Sequence, residues 1–195
     1  RGDDWVLLAA VEGLGGAWDR VAKHLQTAAL LDPSWVPAVA VLRRLVAAEH
    51  TRREVFAGRQ APGLLGEPPE WLAWRVEAMA MEGRGEVAAA RELRALAAAQ
   101  CGGFPATVDG QSVEGLTDAD DRLGPVLESF LDGGYYWLPC VHWETLRSEP
   151  PASLMDLIWL PVQVRLVTGG EVAGHLPVRY PGTEAVDDPA LKMAR

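Results

Sequence analysis

Over the first hundred residues the apolar positions fall at helical spacing, in blocks separated by glycine and proline. Trp5, Leu8 and Ala9 share one face of a first helix, which Gly15-Gly16 ends. Asp19 to Leu31 resumes the pattern with Val21, Leu25 and Ala28 at i, i+4 and i+7. Asp32-Pro33 then joins an N-cap residue to a proline at the first helical position. It opens a long helix from Ser34 to about Ala57, with Val39, Leu42 and Val46 along one face. The Gly- and Pro-rich run from Gly58 to Pro69 predicts a connector. Glu70 to Glu82 predicts a fourth helix with Leu72, Val76 and Met79 on one side. After Gly83 and Gly85, Glu86 to Gln100 predicts a fifth, with Ala89, Leu93 and Leu96 on its apolar face. Its dense alanine favours helix and close packing of axes.

Trp5, Ala9, Leu25, Ala28 and Pro33 sit where one tetratricopeptide repeat of ~34 residues places its large, small and helix-ending residues. A single repeat cannot bury its apolar face, and the helices that follow supply neighbours. Residues 1–100 are therefore predicted to form a TPR-like α-helical solenoid fragment.

Beyond Cys101-Gly102-Gly103 the period changes from helical to alternating. Val126, Glu128 and Phe130 alternate with Leu127, Ser129 and Leu131, Asp132-Gly133-Gly134 turns the chain, and Tyr135 to Leu138 returns as an aromatic strand. A second hairpin is predicted from Pro161 to Val167 and Glu171 to Leu176, joined by Thr168-Gly169-Gly170. Between them Ser153 to Trp159 predicts one or two helical turns, with Ser153 as cap and Asp156 three residues on. Residues 104–195 thus predict a small, mainly antiparallel β domain, and the chain as a whole an α+β fold.

Charge supports the same division. Residues 1–100 carry twelve Lys/Arg and thirteen Asp/Glu, and residues 101–195 carry six and fourteen, so most of the net charge of -9 lies in the β half. An acidic half repels phosphate backbones, which argues against a nucleic-acid partner. Apolar runs stop well short of the ~20 residues of a membrane span. The opening Arg1-Gly2-Asp3-Asp4 lacks the order of a signal peptide, so a cytoplasmic location is expected. Cys101 and Cys140 lack metal-ligand spacing and are expected as free thiols in a reduced compartment.

Asp118, Asp120 and Asp121, with Asp109 nearby, form the densest group of carboxylates. Hard cations need such oxygens, so a metal-dependent hydrolase is one reading of the chain. The cluster lacks the glycine and distal glutamate of a calcium loop, and turn or cap use of Asp, with Arg122 as ion-pair partner, is the other. His142 follows Cys140 by two residues, which on a strand would put a thiol and an imidazole on one face. No orienting acid or oxyanion glycine motif accompanies them. His24, His50, His142 and His175 share no motif, and no phosphate loop or dinucleotide fingerprint is present. Trp71 and Trp74, three apart with Arg75 beside them, are either core or an anchor for a partner's helix. Trp137, Trp143 and Trp159 are expected to pack across strands.

Ordered blocks carry a further signal. Asp118-Ala119-Asp120-Asp121-Arg122-Leu123-Gly124-Pro125 resembles the acidic lead-in and Arg-Leu-Gly-Pro motif of the ImpE/TagJ (SciE-type) family of type VI secretion accessory proteins. Leu131 to Pro139, with Tyr135, Tyr136 and Trp137, resembles the family's aromatic hairpin, and Pro150 to Pro161 its next block. Pro177-Val178-Arg179-Tyr180-Pro181-Gly182 resembles its Arg-Tyr-Pro-Gly signature. Upstream, Arg53 to Gly58 and Gly66-Glu67-Pro68 are similar to its helix end and connector. The likeness departs at the ends: the first helices of the usual repeat region are absent, and the chain closes on Lys192-Met193-Ala194-Arg195 without the usual final residues.

The resemblance implies a cytoplasmic adaptor with no enzymatic activity and no cofactor. Its implied partners are the N-terminal helix of the small sheath subunit and the AAA+ unfoldase that recycles contracted sheath. A generic repeat scaffold for another partner is the remaining reading. Trp71, Trp74 and Arg75 are the residues expected to meet a partner. The motif residues Arg122, Leu123, Gly124, Pro125, Tyr135, Tyr136, Trp137, Arg179, Tyr180, Pro181 and Gly182 are expected to be structural. Gly124, Gly133 and Gly182 are expected at positive φ, and Arg122 and Arg179 in pairs with carboxylates.

Overall fold

A computed structural model describes residues 1–187, so the closing Lys192–Arg195 segment lies outside the described residues. Five helices come first: α1 (Gly2–Leu14), α2 (Trp18–Leu31), α3 (Val36–Phe56), α4 (Glu70–Gly83) and α5 (Val87–Cys101). Between α3 and α4 lies a two-residue strand, β1 (Gly63–Leu64). Seven strands follow: β2 (Phe104–Val108), β3 (Gln111–Leu116), β4 (Val126–Leu131), β5 (Gly134–Pro139), β6 (Trp143–Ser148), β7 (Trp159–Leu166) and β8 (Glu171–Pro177). Helix and antiparallel sheet are segregated along the chain, the α+β class.

Local chemistry accounts for most boundaries. The Asp32 carboxylate accepts a hydrogen bond from the Ser34 amide, and Pro33 opens a single 3-10 turn that leads into α3. The β4–β5 hairpin turns on Asp132 and Gly133, at φ of 44° and 82°. Those are the mirror-image turn angles that match the twist of two antiparallel strands. Its register, from Leu131 opposite Gly134 to Val126 opposite Pro139, places Glu128 across from Trp137.

Six strands form one sheet in the order β1-β5-β4-β8-β7-β6, and β2 and β3 form a separate hairpin. β1 pairs in parallel with β5, Gly63 opposite Tyr136 and Leu64 opposite Trp137. The predicted connector therefore contributes an edge strand to the distant sheet. One apolar core unites helices and sheet: Val21 and Leu25 of α2, Val46 and Val55 of α3 and Leu72 of α4 join Phe130, Trp137 and Trp159. Trp18 stacks on Trp159 with ring centroids 5.5 Å apart, a contact between residues far apart in sequence that fixes the sheet against the helical layer.

Several local expectations need correction. The inward face of α5 is Ala90, Arg94 and Ala97, while Leu96 stays exposed. Small side chains let α5 approach α4 closely, and the Arg94 stem runs along the contact to reach Glu82 at 2.9 Å. Ser153 and Asp156 make the reciprocal bonds of a capping box, Asp156 amide to Ser153 Oγ at 3.3 Å and Ser153 amide to Asp156 Oδ2 at 3.1 Å. The segment is a turn that passes straight into β7 instead of a helix. Likewise, Cys140–His142 is a 3-10 turn and not a strand, so Cys140 is buried while His142 Nδ1 lies 2.9 Å from the Leu65 carbonyl.

Candidate functional site

The family-like blocks converge where α3 crosses the sheet. Arg52 is buried there, and its guanidinium grips Glu128 of β4 with two parallel bonds, Nε to Oε1 at 2.6 Å and Nη2 to Oε2 at 2.9 Å. The same Nη2 donates to the Arg179 carbonyl at 2.7 Å. Glu49, one turn earlier on α3, lies 3.6 Å from Arg52 and accepts from the Trp159 indole at 3.0 Å. On the far side of Glu128, Tyr135 donates its hydroxyl proton at 2.6 Å, and Trp137 Nε1 donates to Tyr135 at 2.6 Å. Buried polar groups are costly unless bonded, and this chain of bonds gives each named group a partner.

The charges are set by these contacts. Burial opposes a charge on Arg52, yet the charge and hydrogen bonds of Glu128, together with the charge of Glu49, outweigh it and hold the guanidinium above its ordinary pKa. Burial also lifts the Glu49 carboxyl above its ordinary value, with Arg52 only partly offsetting it. Tyr135 is raised well above the phenol range by burial and by the adjacent Glu128 charge.

Around this network the other motif residues act as ties. Arg179 donates to the carbonyls of Gly13, at 2.8 Å, and Leu14. These belong to the last turn of α1, where a cation favours the negative end of the helix. Tyr180 donates to Asp118 Oδ1 at 2.7 Å, and its hydroxyl is pushed up to about 12 by burial and that bond. Arg122 holds Asp120 with bonds of 2.5–3.0 Å and lies 4.7 Å over the Phe56 ring. Leu123, Tyr135 and Trp137 are core residues, and Pro125 is buried with its carbonyl bonded to the Cys140 amide at 2.9 Å. The Tyr136 ring covers Gly63. Gly124, Gly133 and Gly182 have φ of 65°, 82° and 95°, as their left-handed turns require. A cleft of about 270 Å³, bordered by Glu49, Arg53, Phe56, Arg122, Arg179 and Tyr180, opens over this network.

Trp71 and Arg75, expected to meet a partner, are turned inward and buried, and Trp74 is half-buried. Arg75 donates to the Asp121 carbonyl at 2.8 Å and lies over the Trp71 ring. Their place on one face of α4 is as expected, but that face serves the chain's own Arg-Leu-Gly-Pro loop, leaving little side-chain surface at Trp71 and Arg75 for another protein.

The acidic cluster is likewise drawn into internal contacts. Asp120 is pulled up by burial, but the Arg122 bonds outweigh this and lower its pKa. Asp118 accepts from Tyr180 and the Asp120 amide, and Asp121 lies 3.4 Å from Arg94. Among the described residues no three His, Cys, Asp or Glu groups meet as a metal-binding set. Cys140 is a protonated thiol, its pKa pushed up to about 11 by burial, a poor nucleophile near neutral pH.

Sequence reasoning missed Glu49 and Arg52. Each sits inside a helix among other charges, and only an i, i+3 pair of opposite sign marks them. It also missed β2 and β3, although Asp109-Gly110 between two extended runs is the same hairpin signal as Asp132-Gly133.

The comparisons with known proteins agree with this arrangement. The family described as ImpE protein matches residues 110–195. The type VI secretion system accessory component TagJ of Pseudomonas aeruginosa is 38% identical over 180 residues, 92% of this chain and 64% of that protein. The crystal structure of protein VPA1032 from Vibrio parahaemolyticus superposes with a TM-score of 0.83 at 26% identity, covering 95% of this chain and 69% of that one. The chain thus spans slightly under two thirds of the curated relative's length. With the Arg-Leu-Gly-Pro, aromatic-hairpin and Arg-Tyr-Pro-Gly blocks joined in one interior network, the chain belongs to the ImpE/TagJ family.

Proposed function

We propose that this chain is a non-enzymatic accessory protein of the type VI secretion system, acting in the cytoplasm. The observation that carries the reading is the 38% identity to TagJ, a type VI accessory component, across 92% of the chain. The geometry supports it, because the residues of the family blocks are bonded to one another. They stabilise a shape, and a shape is what an adaptor offers.

We read the helical half as TPR-like, docking the N-terminal helix of the small sheath subunit, with a link to the AAA+ unfoldase that recycles contracted sheath. Isothermal titration of the protein with a peptide of that sheath helix tests the reading. Saturable binding at micromolar concentrations is expected. Absence of heat and of co-elution with the intact subunit would count against the sheath partner and favour a scaffold for another protein.

A further inference from the structure

Strand β6 ends the six-stranded sheet: β7 pairs with one of its sides, and no strand among the described residues pairs with the other. Such an edge is a row of unpaired amides and carbonyls, a template for a further strand. The β2–β3 hairpin stands beside it as a separate two-stranded sheet. Between them runs a groove of about 1030 Å³, lined by the unbroken runs Phe104 to Asp109 and Trp143 to Arg147. Unbroken runs on both walls mean that the groove follows the length of β2 and of β6. The rings of Phe104 and Trp143, with centroids 6.2 Å apart, join the walls where the two strands begin. Two strands alone make a marginal sheet in water, and a strand laid in the groove extends the larger sheet toward them. Pro105 of β2 has no amide to donate and is a residue of outer edges, whereas β6 contains no proline and offers the pairing. The described ends of the chain lie against other elements, Gly2 on Trp35 and Glu184 on Gly16.

The lining specifies what fits. Phe104, Val113, Trp143 and Leu146 are half-buried and give the groove an apolar side, while Thr107, Ser112 and Thr145 are exposed. A strand with alternating apolar and polar residues matches both. The charged residues of the lining are Asp109, Glu114 and Glu144 against Arg147. Even counting Arg165, which lies 3.7 Å from Glu144, carboxylates outnumber guanidiniums by three to two. One polar group is left over: Trp143 Nε1 is enclosed without an acceptor among the described residues, although buried donors are nearly always bonded. A strand beside β6 carries a row of carbonyls past it. We propose that an extended segment of a partner protein adds to β6 as a further strand. That segment presents apolar residues to Phe104, Trp143 and Leu146 and Lys or Arg to the acidic rim. Main-chain bonds to the edge give such pairing its affinity, and alternate side chains its specificity. The surface is separate from the helix-docking reading above, which concerns the helical half.

The test titrates the whole chain with three heptapeptides: alternating valine and lysine, the same with glutamate for lysine, and the valine–lysine peptide with every backbone amide N-methylated. The valine–lysine peptide is expected to bind saturably and at least tenfold tighter than either counterpart. It is also expected to slow amide exchange within Trp143–Ser148 at least tenfold. E114K/E144K, at two exposed positions, reverses the rim charge and is expected to lose at least fivefold in affinity, with circular dichroism reporting its folding. Should that variant misfold, the peptide series and the exchange on wild type decide. Absence of saturable binding, equal binding by the glutamate or N-methylated peptide, undiminished affinity of folded E114K/E144K, or protection confined to other elements overturns the proposal. A wild-type dimer whose β6 amides are already protected without peptide also overturns it, and assigns the edge to a second copy of the chain.

Discussion

A β-carbon on Gly124 would lie 2.4 Å from the guanidinium of Arg75, so a loop glycine and a helix arginine some fifty positions earlier are fitted to each other. Gly124 also holds φ of 65°, which a β-carbon opposes by ~1–2 kcal/mol. Gly124→Ala should strain the loop and push Arg75 off the Asp121 carbonyl, a loss of about 2–4 kcal/mol in all. In an Arg75→Ala background the same substitution should cost less, by ~0.5 kcal/mol or more. Urea unfolding of the four proteins measures this coupling, and strict additivity would sink the fitted-pair interpretation.

Removing one member of the Arg52–Glu128 pair leaves an uncompensated buried charge. Arg52→Ala is expected to cost about 3–5 kcal/mol, and Glu128→Leu a similar amount. Arg52→Met combined with Glu128→Leu should recover part of the loss, because the desolvation of both charges goes with them while the Tyr135 hydroxyl and the Arg179 carbonyl lose their partners. Denaturant midpoints decide it; a double variant as unstable as the sum of the singles would contradict the argument.

Two carboxyls set opposite pH trends. Glu49 binds its proton more tightly folded than unfolded, so its contribution falls as pH rises from the ordinary value of 4.5 through its raised folded value. Glu49→Gln keeps an acceptor for Trp159 and should gain stability relative to wild type as pH is raised from 4 to 7. Asp120 is the reverse case, its pKa lowered in the fold. Its contribution is present above the ordinary 3.8 and is lost as pH falls through the lower folded value. Asp120→Asn should therefore be less stable than wild type near neutrality, and that deficit should shrink in acid. Denaturation across pH 3–7 reads both slopes.

The shared core makes the two halves interdependent. Residues 1–101 alone would expose the surfaces of Val21, Val46, Val55 and Leu72 that meet Phe130, Trp137 and Trp159. Expressed separately, that fragment is expected to be helical by far-ultraviolet dichroism but to lack a cooperative thermal transition. A sharp transition in the fragment would show that residues 1–100 form an independent domain.

Much of the fold was legible in the sequence. The 3.6-residue period, Asp32-Pro33 and the glycine pairs marked five helices to within a few residues. Asp132-Gly133 between alternating runs marked the central hairpin. These are local signals, arising from backbone conformation and from which face of an element is apolar. Where two faces compete, the period misleads. In α5 both Ala89-Leu93-Leu96 and Ala90-Arg94-Ala97 repeat at helical spacing, and close packing on α4 selects the smaller set. The burial of Trp71 and Arg75 was hidden for a related reason, since a helical face shows in sequence but what packs on it does not.

By itself the sequence determined the five helices, the β4–β5 and β7–β8 hairpins with their turns, and family membership, because each depends on neighbours within a few residues or on the order of motifs. Tertiary structure alone decided that Arg52 meets Glu128 and that Arg179 closes the end of α1. Those outcomes depend on which surfaces pack across large sequence separations. Burial then requires partners of the charges enclosed at that crossing, as Arg52 and Glu128 find in each other.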